Sequence, residues 1–184
     1  MEKIMATRMI GGNPDTTRSS TDFYPTPAEV TKALLAFLEI QKPALILEPA
    51  CGQGDMVNVM REAGYSVYAT DLIYGHDFLT DPLRECDWII TNPPFSVSDK
   101  FIKRCAAHGK PFALLLKSQY WHAKKRIELF QEITPKYVLP LTWRPDFLFK
   151  KHVKRRAPLM DVMWCVWEPP YNQNSIYKPL ARPE

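Results

Sequence analysis

Residues 44–55 read ALILEPACGQGD, which is a short apolar run, a turn with two glycines and the first residue of a helical pattern. The apolar run 44–47 predicts a buried β-strand, and the helical pattern of residues 55–63 stops at Gly64, a residue typical of helix ends. Glycines between a strand and a helix let the backbone bend tightly and approach a ligand. We therefore expect a parallel α/β unit with a ligand site after its first strand.

The same alternation of strand and helix patterns continues along the chain. Pro27 opens an earlier helix whose apolar residues share one face, namely Val30, Leu34, Leu35 and Leu38. Further strands are predicted at 66–70, 88–91, 112–116 and 137–141, and further helices at 98–107 and 124–133. The alternating run 161–167 suits a late antiparallel strand. The predicted fold class is α/β, with a mostly parallel, doubly wound sheet.

Length and composition favour one domain. A chain of 184 residues that is 46% apolar can bury one sizeable core. We expect residues 22–168 to form it, with a flexible arm at 1–21 and an irregular tail at 169–184. The apolar stretches fall short of the roughly 20 residues of a membrane helix, and the N-terminus lacks the apolar core of a secretion signal, so a cytoplasmic protein is expected. Four scattered cysteines predict free thiols and no metal site.

Charge is divided unevenly along the chain. Residues 1–99 carry 7 Lys and Arg against 14 Asp and Glu, whereas residues 100–184 carry 17 against 6. An acidic half could hold a cationic small molecule and a basic half could lie against phosphates, although a solvated surface with uneven charge is the alternative. The loop at 143–158 concentrates the basic residues and interleaves them with aromatic ones: Arg144, Phe147, Phe149, Lys150, Lys151, Lys154, Arg155 and Arg156. Phosphate contact by this loop and simple solvation are both compatible with the pattern.

Two acidic residues extend the candidate site at the glycine turn. The turn lacks the third glycine of a dinucleotide fingerprint, and no phosphate-binding lysine follows it, which disfavours a pyrophosphate ligand. Asp71 ends the second predicted strand, where a carboxylate can accept hydrogen bonds from ribose hydroxyls. Asp77 follows at a distance that lets it meet an adenine amino group. The same two positions also fit caps of helices or turns.

Residues 91–95, Thr-Asn-Pro-Pro-Phe, close the strand predicted at 88–91. Consecutive prolines fix φ and remove two donors, which leaves a rigid platform of carbonyl acceptors. If the Asn92 side-chain oxygen and the Pro93 carbonyl each accept one N–H, an aryl amine is drawn towards tetrahedral geometry and its lone pair is aimed at a sulfonium methyl group. Phe95 offers a face on which a flipped base can stack. A plain turn can also contain Asn-Pro-Pro, but the glycine turn upstream favours a functional role.

The order and spacing of these motifs resemble the DNA N6-adenine methyltransferases whose cofactor motifs precede the catalytic motif. The resemblance covers residues 22–167 and implies a Rossmann-like methyltransferase fold with S-adenosyl-L-methionine as cofactor. The catalytic residues that it implies are Asn92, Pro93, Pro94 and Phe95. The cofactor-binding residues are Tyr24, Thr26, Glu48, Ala50, Gly52, Gly54, Asp71, Leu72, Asp77, Phe78 and Asn92. Lys117 lies in a segment similar to the motif that walls the base pocket, and it joins Arg144, Phe147, Lys150, Lys151, Lys154, Arg155 and Arg156 as expected nucleic-acid contacts.

The resemblance implies methyl transfer to N6 of adenine in DNA after base flipping, in a bacterial or phage-infected cell. Sequence-specific members carry a large target-recognition region, and here residues 143–158 alone are available for that work. Short or relaxed recognition is therefore expected, or help from either a homodimer or a separate specificity subunit. The alternatives are an RNA adenine N6-methyltransferase, a protein glutamine N5-methyltransferase and an inactive nucleic-acid-binding module that retains the cofactor. Cytosine N4 methylation is disfavoured because it more often goes with Ser in the place of Asn92.

Overall fold

The computed structural model of the protein describes residues 24–147 and 160–184. Within them the α-helices are α1 (Ala28–Leu38), α2 (Asp55–Glu62), α3 (Ser98–His108) and α4 (Ile127–Glu132). The strands are β1 (Leu45–Glu48), β2 (Ser66–Ala69), β3 (Trp88–Thr91), β4 (Phe112–Lys117), β5 (Tyr137–Pro140), β6 (Val162–Trp167) and β7 (Ile176–Tyr177). The predicted N-terminal arm and residues 148–158 of the basic loop lie outside the described residues.

The strands form one sheet in the order β2-β1-β3-β4-β6-β5-β7. Strands β2, β1, β3 and β4 run parallel, and β6 lies antiparallel between β4 and β5. The chain adds β2 on one side of β1 and then crosses to add β3 on the other side. Such a reversal opens a crevice outside the carboxyl ends of the two central strands, where ligands bind in open α/β sheets. The predicted α/β sheet with a late antiparallel strand is confirmed.

Helices cover both faces of the sheet, so the core has two layers. One face packs against α1 and α2 and buries side chains of β1, β3, β4 and β6, including Ile46, Ile90, Leu115 and Trp164. The opposite face packs against α3 and α4 and buries the alternate strand positions, including Leu47, Ile89, Leu114 and Cys165. Successive strand residues point to opposite faces, and both faces are apolar because both are covered.

Local sequence explains where the helices begin and end. Pro27 precedes α1, and Val30, Leu34 and Leu35 are buried, as the predicted apolar face requires. Leu38 is half-buried. In α2 the first turn follows Gly54 at φ 86°, a left-handed conformation that favours glycine. The Trp164 indole N–H donates to the Val30 carbonyl at 3.0 Å, which joins β6 to α1 through a buried hydrogen bond.

The structure differs from the predictions in its later elements. The prediction of an alternating strand at 161–167 is wrong in its pattern, because all six residues of β6 are buried between two helical layers. The segment 124–133 starts as a short 3-10 helix, Lys124–Arg126, before α4 begins. The segment predicted as an irregular tail contains β7, which pairs in parallel with β5.

The predicted free thiols are confirmed for all four cysteines. No helix among the described residues is long and apolar enough to cross a membrane.

The two-faced core yields a stability prediction. Leu115 in β4 is fully buried, whereas Leu83 is 39% exposed. Leu115→Ala should lower the free energy of unfolding by about 3 kcal/mol, because it removes apolar contacts and leaves a cavity. Leu83→Ala is the matched control and should cost less than about 1 kcal/mol. Urea denaturation followed by circular dichroism measures both values, and equal losses would contradict the assignment of Leu115 to the core.

Candidate functional site

The glycine turn lies at the carboxyl end of β1, beside the sheet's crevice. Gly52 has φ 50° and Gly54 has φ 86°, so both adopt the left-handed conformation that glycine accommodates most readily. The Cys51 carbonyl accepts a hydrogen bond from the Gly54 amide at 2.8 Å, which closes the turn. The bend leaves backbone without a Cβ at the mouth of the crevice, where a ligand can approach closely.

Asp71 links the end of β2 to this turn. Its Oδ2 accepts a hydrogen bond from the Gly52 amide at 2.7 Å, and its Oδ1 accepts one from the Ile73 amide at 3.0 Å. The second bond makes Asp71 the cap of the short helix Leu72–Tyr74. The Tyr74 hydroxyl donates to the Gly52 carbonyl at 3.1 Å. Asp71 therefore acts as a cap, as the alternative interpretation held, and it also fixes the glycine turn.

Glu48 is a buried carboxyl group at the base of the same crevice. It is 1% exposed, and its Oε1 accepts a hydrogen bond from the Ala50 amide at 3.2 Å. Burial raises the pKa of Glu48 to about 8, and the charge on Asp71 adds to the increase. The nearby Thr91 hydroxyl and the Ala50 amide lower it by less. Glu48 therefore carries a proton at neutral pH.

Asn92 follows β3 directly, on the other side of the crevice. Its Nδ2 donates to the Thr26 hydroxyl at 3.0 Å and to the Tyr24 carbonyl at 3.3 Å. These two bonds use both amide hydrogens and fix which end of the side chain carries oxygen. The Asn92 Oδ1 is buried, and no described residue donates a hydrogen bond to it. The amide thus presents an unused acceptor in a fixed orientation.

The residues after Asn92 form a rigid turn under an aromatic side chain. Pro93 is buried. The Pro94 carbonyl accepts a hydrogen bond from the Val97 amide at 3.1 Å, and the Ser98 hydroxyl donates to the same carbonyl at 3.4 Å and to the Phe95 carbonyl at 3.1 Å. These bonds tie the turn to the first turn of α3. The ring of Phe95 is half-buried, so part of its surface remains accessible.

Phe95 lies among groups from distant parts of the sequence. Its ring centroid is 6.0 Å from that of Tyr24, and the Lys117 ammonium lies 4.7 Å from it. Lys117 ends β4, the strand next to β3, so strand order alone brings its side chain to the turn that follows Asn92. A cation over a ring face is attracted by the negative face of the ring. An aromatic surface and a positive charge therefore lie at the turn that follows Asn92.

Several residues predicted to bind ligands have other surroundings. Phe78 is 9% exposed and packs against Phe101 with ring centroids 5.1 Å apart, so it contributes to the core. Phe147 is 4% exposed and packs edge-on against Tyr24 at 6.4 Å, so it offers no open face to nucleic acid. Asp77 accepts a hydrogen bond from the Leu79 amide at 2.9 Å, which is the turn cap named as the alternative.

Other predicted contacts lie at the surface or outside the described residues. Leu72 is 70% exposed beside Asp71. The Arg144 guanidinium pairs with Asp161, with Nε 2.7 Å from Oδ1. The remaining predicted nucleic-acid contacts lie outside the described residues: Lys150, Lys151, Lys154, Arg155 and Arg156. No three His, Cys, Asp or Glu side chains are grouped as a metal ion would require within 24–147 and 160–184.

Sequence reasoning missed two contributors to this site. Tyr74 bonds to the glycine turn, and Ser98 supports the turn that follows Asn92. The apolar run Leu72-Ile73-Tyr74, which is exposed in the structure, was a weak signal for the first. Ser98 was predicted only as the start of a helix. Its role depends on the 3-10 turn Phe95–Val97, which residue pattern alone does not reveal.

Comparison with known proteins places the fold. No family model and no curated protein sequence matches the chain. A candidate class I S-adenosylmethionine-dependent methyltransferase from Listeria monocytogenes matches with TM-score 0.61 and 14% identity, over 97% of this chain and 72% of that one. The modification subunit of a candidate type I restriction enzyme from Vibrio vulnificus YJ016 matches with TM-score 0.56 and 16% identity. That match covers 100% of this chain, which spans 51% of the length of the Vibrio subunit.

A third structure, described as a candidate RNA methyltransferase from Pyrococcus horikoshii, has TM-score 0.55 and 12% identity, over 91% of this chain and 99% of that one. At such identities the likeness concerns the fold. The chain therefore has the Rossmann-like fold of S-adenosylmethionine-dependent methyltransferases, as its resemblance to that class implied.

The raised pKa of Glu48 yields a prediction about stability and pH. The folded state keeps the proton between the ordinary pKa of 4.5 and about 8, whereas the unfolded state loses it in that range. Wild type should therefore lose stability relative to Glu48→Gln, which stays neutral, by up to about 1.4 kcal/mol per pH unit over this window. The difference should hold one constant value below the lower limit and another above the upper one, where the folded and unfolded states bind equal numbers of protons. Urea denaturation of both proteins measures it.

Glu62→Gln, at an exposed position of α2, is the matched control for the loss of one carboxyl group. A constant difference between Glu48→Gln and wild type over this range would show that Glu48 is charged in the folded protein.

Proposed function

We propose that this protein is an S-adenosylmethionine-dependent methyltransferase that acts on the N6 amino group of adenine in DNA. The observation that carries the proposal is the Asn92 amide, whose two hydrogens are held by Thr26 and Tyr24 while its buried oxygen lacks a donor among the described residues. A buried acceptor left unpaired costs free energy, so its partner is expected in a ligand. An exocyclic amino group supplies the matching N–H.

The crevice beside Asn92 fits the proposed cofactor. Asp71 supplies a carboxylate at the end of β2 for ribose hydroxyls, and each of its oxygens keeps accepting capacity beyond the bonds to Gly52 and Ile73. The bare backbone at Gly52 and Gly54 permits close approach. When bound, S-adenosylmethionine supplies an electrophilic methyl group on a sulfonium centre. We propose that the residues that hold it are Tyr24, Thr26, Glu48, Ala50, Gly52, Gly54, Asp71 and Leu72.

The catalytic turn orients the amine that is to be methylated. The Asn92 Oδ1 and the Pro93 carbonyl would each accept one N–H, which directs the nitrogen lone pair away from the ring plane. The Phe95 ring provides a stacking surface for the base, and the Lys117 ammonium over that ring holds a positive charge at the pocket edge. No strong base is needed, because a methylated amine is transiently cationic and loses its proton readily.

Two observations favour DNA as the substrate over protein and RNA, the first more strongly than the second. The basic second half of the chain favours a polyanion over a protein substrate. Among proteins with this fold, the Vibrio structure is a modification subunit of a candidate restriction enzyme, and the Pyrococcus structure is described as a candidate RNA methyltransferase. RNA adenine is therefore the second candidate. The partner proteins proposed for DNA recognition are a second copy of the chain or a separate specificity subunit.

Replacing Asn92 tests the proposed chemistry. Asn92→Ala should reduce methyl transfer at least a hundredfold, because it removes a buried acceptor that positions the amine. Digestion of the methylated substrate to nucleosides followed by mass spectrometry measures the product. The wild-type product from DNA should be N6-methyladenine, and RNA and protein substrates tested in parallel distinguish the alternatives.

Asn58→Ala, at an exposed position of α2, is the matched control and should retain wild-type transfer. Thr26→Val keeps the Asn92 amide but removes one of the two acceptors that orient its Nδ2. Because the amide is still present but less firmly oriented, a partial loss of rate is expected. Undiminished transfer by Asn92→Ala would rule out the proposed mechanism.

Replacing Asp71 tests the proposed cofactor site separately from catalysis. Asp71→Ala should raise the Kd for S-adenosylmethionine at least tenfold, because it removes both the ribose acceptor and the bond that fixes the Gly52 amide. Isothermal titration calorimetry without nucleic acid measures this value. Glu62→Ala on α2 is the control. Unchanged affinity in Asp71→Ala would place the cofactor elsewhere.

A further inference from the structure

A cavity of about 350 Å³ opens beside α4, away from the glycine turn and from Asn92. Its lining residues are Trp121, Ala123, Lys124, Ile127, Phe130 and Gln131. They come from the segment that follows β4 and from one face of α4. The proposed methyl transfer requires none of these residues, so the cavity needs a separate explanation.

The cavity adjoins the end of β4, because its wall residue Trp121 bonds to Met163, the strand partner of Leu116. Lys117, at the end of β4, has its ammonium 4.7 Å from the Phe95 ring centroid. The short helix Ser118–Trp121 follows directly, and its four residues advance by about 8 Å at the 3-10 rise of about 2 Å per residue. Successive nucleotides of one strand lie about 3.4 Å apart along a helix axis, so the advance of this segment is comparable to a few nucleotides. The segment joins Lys117, which lies over the Phe95 ring, to the Trp121 wall of the cavity.

The walls of the cavity are flat, apolar and firmly held. The rings of Trp121 and Phe130 are 4.4 Å apart between centroids and tilted by 40°. The Trp121 indole N–H lies 3.0 Å from the Met163 sulfur of β6, which fixes the orientation of the ring. Ile127 is 59% exposed, although it is a large apolar residue. Trp121 and Phe130 are half-buried, and aromatic rings with part of their surface accessible beside exposed aliphatic surface can stack with nucleobases.

The rim of the cavity is polar and carries positive charge. Lys124 and Gln131 are both exposed there. An amide can read hydrogen-bonding groups on a base edge, and a lysine can contact the phosphate that follows the base. The Arg126 guanidinium stacks 3.7 Å from the Tyr120 ring centroid and donates to the Tyr120 carbonyl, which adds a fixed positive charge beside the cavity. Two carboxylates, those of Glu128 and Glu132, lie on exposed positions of α4.

We propose that this cavity binds a nucleobase that flanks the target on the same strand, stacked against Trp121 and Phe130 with its phosphate near Lys124. The inference rests on the proposed function and adds a second base-binding site to it. Such a site allows the protein to hold nucleic acid and to sense the bases beside its target.

Filling the cavity tests the inference without removing its walls. Ala123→Leu places a larger side chain inside the cavity, and Ala107→Leu, at an exposed position of α3, is the matched control. Short DNA strands and duplexes with 2-aminopurine at successive positions beside the target report by fluorescence which base enters an aromatic site. We expect a fluorescence change at one flanking position with wild type and with Ala107→Leu. With Ala123→Leu that change should disappear and the Kd should rise about tenfold.

A second pair of variants tests the rim. Lys124→Ala should weaken binding and reduce its salt dependence, whereas Lys103→Ala on α3 should change neither. Unchanged fluorescence and Kd with Ala123→Leu, or wild type that shows no signal at any flanking position, would overturn the inference.

The methyl-transfer assay run in parallel separates this inference from the proposed function. Transfer by wild type together with unaltered binding by Ala123→Leu refutes the base site and leaves the methyltransferase proposal intact. A fluorescence signal that Ala123→Leu abolishes, without transfer by wild type to any substrate, supports the base site and refutes the proposed activity.

Discussion

The reversal of strand order at β1 is the constraint on which the site depends. Because β2 and β3 lie on opposite sides of β1, the carboxyl ends of β1 and β3 meet with no helix between them. The glycine turn and Asn92 are about forty residues apart in sequence, yet they face one crevice. Parallel pairing of β3 with β4 then brings Lys117 to Phe95. The topology of the sheet, rather than any single contact, assembles the groups that face the crevice.

The orientation of the Asn92 amide depends on a segment that is remote from it in sequence. The segment that holds it, Tyr24 to Thr26, comes before α1, and α1 is itself fastened to β6 through the Trp164 indole. The orientation of one side chain thus depends on a helix and on a strand that is remote in sequence. This dependence explains why the acceptor can stay buried without a donor among the described residues: the surrounding structure determines the amide position strongly enough to bear the cost of desolvation.

The sequence predicted the elements better than it predicted the surroundings of single side chains. The bounds of β3 agree with the prediction, and those of β1 differ by one residue, since apolar runs between turns leave few alternatives. The burial of Phe78 and Phe147 was missed because an aromatic residue in a motif can serve a ligand or the core equally well. Asp71 and Asp77 both act as caps, a role that local sequence allowed. The cavity at Trp121 depends on tertiary packing around α4, so the spacing of residues in the sequence does not predict it.

The position of β6 has a consequence for how the chain folds during synthesis. This strand pairs with β4 on one side and with β5 on the other, although both precede it in the sequence. A nascent chain that has not yet extended to residue 162 therefore carries β4 with an open edge and β5 without its partner. Open apolar edges invite association with other chains. The central hydrogen-bond ladder can close only after β6 leaves the ribosome, so premature release of a shorter chain should yield an aggregating product.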